Sequence, residues 1–268
     1  MTSKTLPLSE PYGQIAYREA GRGDPIVLIH GVGMQSAAWM PQIDALSQSH
    51  RVIALDMPGH GGSSPLPAGG GLADFVAWLR AALDGLGLAR ISLAGHSMGA
   101  LIAGGFAVSH PAMVARVALL NGVFCRPPEM RAAVEARAQA IRSGSFDTTT
   151  PLNRWFGDGD HAARAQVATW LAEMDPAGYA TAYSAFARGD ATYAGGFAAI
   201  ACPLLALTGD GDPNSTPAMS QAMARAAPHG RAVIVSGHRH MVNLTAADAV
   251  NAELRNWLET AETSEHAS

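Results

Sequence analysis

The residues best placed to do chemistry begin at Gly95-His96-Ser97-Met98-Gly99, a G-x-S-x-G run set between the apolar stretch Arg90–Ala94 (RISLA) and an apolar helical stretch over Ala100–Ser109. A serine on such a strand-to-helix turn has its hydroxyl lifted into the open at a helix N-terminus, where it can act as a nucleophile. The two glycines are needed because side chains on so sharp a turn would collide with neighbouring backbone. Ser97 is therefore the candidate nucleophile. His96 reads as a packing residue beside the turn.

A serine hydroxyl attacks poorly unless a base takes its proton, and the base needs an acid to orient it. After this kind of turn the acid and then the histidine follow along the chain. Thr208-Gly209-Asp210-Gly211-Asp212-Pro213 offers two carboxylates, and Ser236-Gly237-His238-Arg239-His240-Met241 offers two imidazoles. Acyl transfer also needs N–H donors for the oxyanion of its transition state. The backbone N–H of Met98, next to the nucleophile, is one candidate. Val32, in the loop His30-Gly31-Val32-Gly33, supplies the other.

These groups need a scaffold. Short apolar runs read as buried parallel strands at Pro25–His30, Arg51–Asp56, Arg90–Ala94, Val114–Asn121, Pro203–Thr208 and Arg231–Ser236. Helical patterns such as Leu72–Leu86 lie between them, so strand and helix alternate from residue 25 onward. That alternation predicts an α/β fold, a mostly parallel central sheet flanked by helices. It breaks once. Residues 126–199 carry helical patterns only, with Asp175 as an N-cap and Pro176 at the first helical position. We expect a core of residues 1–125 and 200–268, with 126–199 inserted as a helical lid over the carboxyl edge of the sheet. Asp56 and the glycine-rich turn after it (Asp56–Ser64) are expected to hold neighbouring loops.

The composition narrows the function. Apolar residues make up 48% of the 268 residues, enough for one large core, and a net charge of -4 with no basic run argues against nucleic acid. No apolar stretch reaches the ~20 residues that span a bilayer, and the first 25 residues lack a signal-peptide pattern. Cys125 and Cys202 make no disulfide framework and are expected near strand ends, which fits a cytoplasmic protein. Asp210–Gln221 fails as a calcium loop at its sixth and twelfth positions, His238-x-His240 lacks the rest of a metal site, and no nucleotide fingerprint is present. No metal or organic cofactor is implied.

Over nearly its whole length the chain resembles the lid-bearing α/β-hydrolases, which the run Leu28–Ser64 follows closely. The resemblance places the acid at Asp212, through G-x-x-D-P, and leaves Asp210 to face solvent or cap the turn. It places the base at His240, because His240-Met-Val-Asn-Leu-Thr-Ala-Ala-Asp-Ala-Val-Asn251 matches the family's run after the catalytic histidine. His238 would then be a structural neighbour. The lid segments Arg154-Trp155-Phe156 and Asp175–Ala180 are similar to those of 3-oxoadipate enol-lactonases, and pyrimidine-catabolic aminoacrylate hydrolases share the register after the histidine. Ala247 and Val250 depart from the proline and phenylalanine usual in that register.

What the resemblance implies is a serine hydrolase acting through an acyl-enzyme on an ester or lactone of a small catabolic substrate. Carbon–carbon cleavage of meta-cleavage type, amide or carbamate hydrolysis, and a non-catalytic ligand-binding protein are the alternatives. Arg154, Trp155 and Phe156 are candidates for substrate contact. The plainer alternatives are a solvated arginine, and aromatics, Tyr179 among them, that pack the lid onto the core. The expected partner is a small-molecule substrate, with no membrane and with homo-oligomerisation left open.

Overall fold

The computed structural model describes residues 2–261. The chain opens with two strands missing from the sequence reading, β1 (Lys4–Pro7) and β2 (Gln14–Ala20). β1 has only four residues and both strands are partly exposed, so they lack the unbroken apolar run that marks a buried strand. The six expected strands follow as β3 (Pro25–Ile29), β4 (Arg51–Leu55), β5 (Ile91–His96), β6 (Val114–Leu120), β7 (Leu204–Gly209) and β8 (Gly230–Val235). The sheet order is β1-β2-β4-β3-β5-β6-β7-β8. β2 runs antiparallel to both of its neighbours, while β3 through β8 are parallel throughout.

Side chains alternate across each strand, and both faces are covered. Val27 and Ile29 of β3 point to a cluster with Phe75, Trp78 and Leu79 of α2 (Leu72–Gly85) and Phe106 of α3 (Met98–Ser109). Ile26 and Leu28 point the other way, to Ile43 and Leu46 of α1 (Met40–Leu46) and Leu254 and Trp257 of the final helix α10 (Ala247–Glu259). Burying each such side chain contributes ~1.5–3 kcal/mol, which locks the strand ends into one register. The expected α/β architecture, a mostly parallel sheet flanked by helices, is what forms.

Between β6 and β7 lie α4 (Pro128–Arg142), α5 (Thr149–Trp155), α6 (His161–Glu173) and α7 (Pro176–Gly189), then a 3-10 helix at Ala194–Ala199. Asp175 caps α7 as expected: its carboxylate accepts from the N–H groups of Ala177 and Gly178 at 3.4 and 2.8 Å. The start of α4 and the end of α7 are tied together. Arg126 N–H donates to Asp190 Oδ2 at 2.5 Å and the Arg126 guanidinium lies 3.4 Å from Asp190 Oδ1, both side chains being fully buried. Cys125, beside this pair, is exposed rather than packed at a strand end, and Cys202 is half-buried just ahead of β7. Two short helices, α8 (Pro217–Ala226) and α9 (Val242–Thr245), complete the described chain. None of these helices is long and apolar enough to cross a membrane.

Candidate active site

Ser97 stands between β5 and α3 with φ 55° and ψ -113°, a conformation that costs a non-glycine residue ~1–3 kcal/mol. The strain is held by its surroundings. Ser97 N–H donates to Leu120 O at 2.9 Å, a Cβ on Gly95 would collide with the carbonyl of Gly99, and one on Gly99 would collide with that of Ile29. The glycines are thus required by close backbone approach, as the motif predicts. Met98 begins α3, so its backbone N–H has no acceptor within the helix, while its side chain is buried in the core.

The two loops at the ends of β7 and β8 bring Asp212 to His240. His240 Nδ1 lies 2.7 Å from Asp212 Oδ2. A carboxylate only accepts, so Nδ1 carries a proton, and in the neutral form of the ring the lone pair is on Nε2, as a general base needs. Asp212 also accepts from Asn121 Nδ2 at 2.8 Å and from the N–H groups of Asn214 and Ser215 at 2.8 and 3.1 Å. Burial pushes its carboxyl up, but the His240 charge and these donors outweigh burial and hold it below the ordinary value of 3.8. The paired alternatives sit elsewhere. Asp210 is exposed and accepts from Ser236 Oγ and Gly237 N–H, and His238 bonds Thr245 Oγ1 at 3.0 Å.

His96 does more than pack. Its Nε2–H donates to the carbonyl of His240 at 2.8 Å, and burial first, with the nearby His240 charge, pushes its pKa down to about 3. Two further buried histidines brace the loop after β3. His30 Nε2 accepts from Met57 N–H at 2.9 Å, and His60 Nε2 accepts from Gly33 N–H at 3.0 Å. Asp56 accepts from Ser36 N–H at 2.6 Å and Gly62 N–H at 3.1 Å, which is the loop-holding part expected of it. Val32 lies in this braced loop.

Gly31, Val32, His96, Ser97 and His240 border one cavity of about 390 Å³. Its opposite wall comes from α4, α5 and α7 and includes Arg137, Arg154, Trp155, Tyr179 and Tyr183, with Arg126 at its edge. The lining holds three arginines and no aspartate or glutamate. Arg137 lies over the Tyr183 ring at 5.8 Å and Arg126 over the Phe186 ring at 4.4 Å; burial raises the Tyr183 phenol, and the charges of Arg137, Arg126 and Arg154 act to lower it. Arg126 is paired with Asp190, whereas Arg137 and Arg154 form no ion pair among the described residues.

The predicted wall residues divide. Arg154 is exposed and Trp155 half-buried, both on the cavity, and Trp155 stacks on His240 with ring centroids 5.8 Å apart. Phe156 turns into the hydrophobic core and does not line the cavity. Sequence reasoning missed Asn121, Arg126 and Arg137. Only Asn121 carried a local signal: Asn-Gly after an apolar strand suits the left-handed φ of 47° that it adopts. Among the described residues no three His, Cys, Asp or Glu side chains gather as around a metal ion.

Comparison with known proteins agrees with this architecture. Residues 26–253 match the alpha/beta hydrolase family. The chain is 50% identical over 262 residues to the (E)-2-((N-methylformamido)methylene)succinate hydrolase of Acinetobacter baylyi, covering 97% of this chain and 99% of that one. Among solved structures it resembles the enol-lactonase of Burkholderia xenovorans LB400, with 28% identity, a TM-score of 0.82 and coverage of 92% and 99%. A thermophilic esterase from Thermogutta terrifontis shares the fold at 24% identity and a TM-score of 0.87, over 98% of this chain and 100% of that one. A strained serine turn, an Asp–His pair and a match over most of its length make this chain a member of the alpha/beta hydrolase family.

Proposed function

We propose that this chain is a serine hydrolase of small, carboxylate-bearing acyl compounds. The observation that carries the reading is that Ser97 and His240 open onto a cavity lined by three arginines and no carboxylate. In a cavity this size such a wall favours anionic substrates by charge and by bidentate guanidinium pairing. Residues 126–199 act as its lid, over a core of 2–125 and 200–261; the rest of the expected core, residue 1 and residues 262–268, lies outside the described residues.

His240 Nε2 takes the proton of Ser97 as Oγ attacks the acyl carbonyl, and Asp212 stabilises the imidazolium. The N–H groups of Val32 and Met98 hold the oxyanion. The acyl bond breaks as His240 returns the proton to the leaving group. Water then attacks the acyl-enzyme with the same base, freeing the acid and Ser97.

For the acyl group we infer an amide. The Acinetobacter relative is named for hydrolysing a methylenesuccinate with an N-methylformamido group, which carries two carboxylates and one amide carbonyl. Identity of 50% over 97% of this chain supports the same class of substrate. An ester or lactone is the second reading, supported by the likeness to the enol-lactonase.

The test compares hydrolysis of that methylenesuccinate with its neutral dimethyl ester, in the wild type and in Arg137→Met and Arg154→Met. We expect the wild type to prefer the dianion and each variant to raise its KM by about 10-fold or more, the cost of a charged hydrogen bond. Equal kcat/KM for dianion and diester, unchanged in both variants, would remove the basis of this reading.

A further inference from the structure

The end of α5 sits on the loop that carries His240. Arg239 Nη1 donates to the carbonyl oxygens of Asn153 and Phe156 at 3.0 and 2.9 Å, among the carbonyls that a helix end leaves without partners. Between these anchor points Trp155 lays its indole over the His240 imidazole, with centroids 5.8 Å apart and planes inclined by 26°. The other titratable groups packed near His240 are Asp212 after β7, His96 at the end of β5 and Ser97; Arg239 precedes it on its own loop and Arg154 precedes Trp155 on α5. Asp212 supplies the one negative charge of that set, and His96, held neutral, adds no positive charge.

We propose that Trp155 is a positioning residue for His240, seated there by Arg239. The indole covers one face of the imidazole, whose Nδ1 edge bonds Asp212, so the ring stays in the orientation that the carboxylate sets. The negative face of the indole also favours the imidazolium that forms when Ser97 gives up its proton, an attraction that acts within about 6 Å of the ring. Because α5 belongs to the inserted helical segment, seating that segment over the cavity also completes the base. The inference rests on reading Ser97 and His240 as nucleophile and base.

The experiment is the labelling of Ser97 by a small fluorophosphonate, read as kinact and KI from about pH 5 to about pH 9, a range that spans histidine titration. Wild type, Trp155→Phe, Trp155→Leu, Arg239→Met, the double variant and Ser97→Ala are compared. Trp155→Leu and Arg239→Met are expected to lower kinact by about 10-fold with KI unchanged and to move the acidic limb to lower pH, since the charged imidazole loses its aromatic partner. Trp155→Phe restores most of both, and the double variant is no slower than the slower single one, because both changes undo a single contact. A Trp155→Leu protein with raised KI and unchanged kinact would assign Trp155 to ligand contact and overturn the inference, as would no change in either constant. Labelling of Ser97→Ala at the wild-type rate would instead remove the nucleophile reading on which the inference stands.

Discussion

His96 and His240 are joined by a 2.8 Å hydrogen bond from the ring of the first to the backbone carbonyl of the second, so the residue before Ser97 fixes the loop that carries His240. The bond needs a proton on Nε2, which the neutral Nε2–H tautomer supplies, so the burial that keeps the ring neutral leaves the bond intact.

The same burial has a cost in acid. Burial foremost holds His30, His60 and His96 below the ordinary histidine value of 6.5, His96 at about 3. Below pH ~6.5 the unfolded chain takes up three protons that the folded chain refuses, so stability is full above that pH and is lost as pH falls toward the folded values. The slope reaches up to ~4 kcal/mol per pH unit for the three together. Urea unfolding from pH 7 down to pH ~5 should show it, and His96→Gln, whose amide can still donate to His240 O, should remove ~1.4 kcal/mol per pH unit. An unchanged slope in His96→Gln would mean that His96 does not titrate differently on folding.

The two histidines after β8 differ in what they touch. His240 meets Asp212 and the cavity, while His238 meets Thr245. His240→Ala should lower kcat by about 10⁴-fold, and His238→Ala by less than about 10-fold, with a stability loss near that of one hydrogen bond. Steady-state kinetics on the same substrate decides it. The reverse order would exchange their roles.

Arg126 and Asp190 close the base of the inserted segment with both side chains buried. Asp190→Asn leaves a buried guanidinium without its counter-charge, which costs ~3–5 kcal/mol of stability. Burial lowers the Arg126 pKa, and Asp190 is the group that offsets it. Denaturant midpoints of wild type and variant measure this directly; a loss of less than ~1 kcal/mol would show that the pair is not needed.

Much of this was legible because it is local. The turn at Ser97 needs two glycines at fixed spacing, and buried strands need unbroken apolar runs, so both leave marks in consecutive residues. Asp212 and His240 were separable from Asp210 and His238 only through a resemblance; the bonds that distinguish them are the His240–Asp212 pair and the exposed cap formed by Asp210. The illegible parts are contacts between distant segments. Arg126 and Asp190 stand 64 residues apart, and Arg239 reaches Phe156 across 83. The cavity-lining arginines of α4 and α5 are likewise assembled by helix packing. β1, at the sheet edge, and β2 beside it escaped because their exposed and half-buried positions leave no unbroken apolar run.

Every step proposed above starts from Ser97 as the nucleophile. The most direct measurement of that role is kcat/KM of the wild type and of Ser97→Ala on (E)-2-((N-methylformamido)methylene)succinate and on p-nitrophenyl acetate, with equal denaturant midpoints as the folding control. A fall of about 10⁴-fold or more is expected on every substrate the wild type hydrolyses. Turnover by Ser97→Ala within about 10-fold of wild type would contradict it, since hydroxyl attack could then not be the route to the acyl bond.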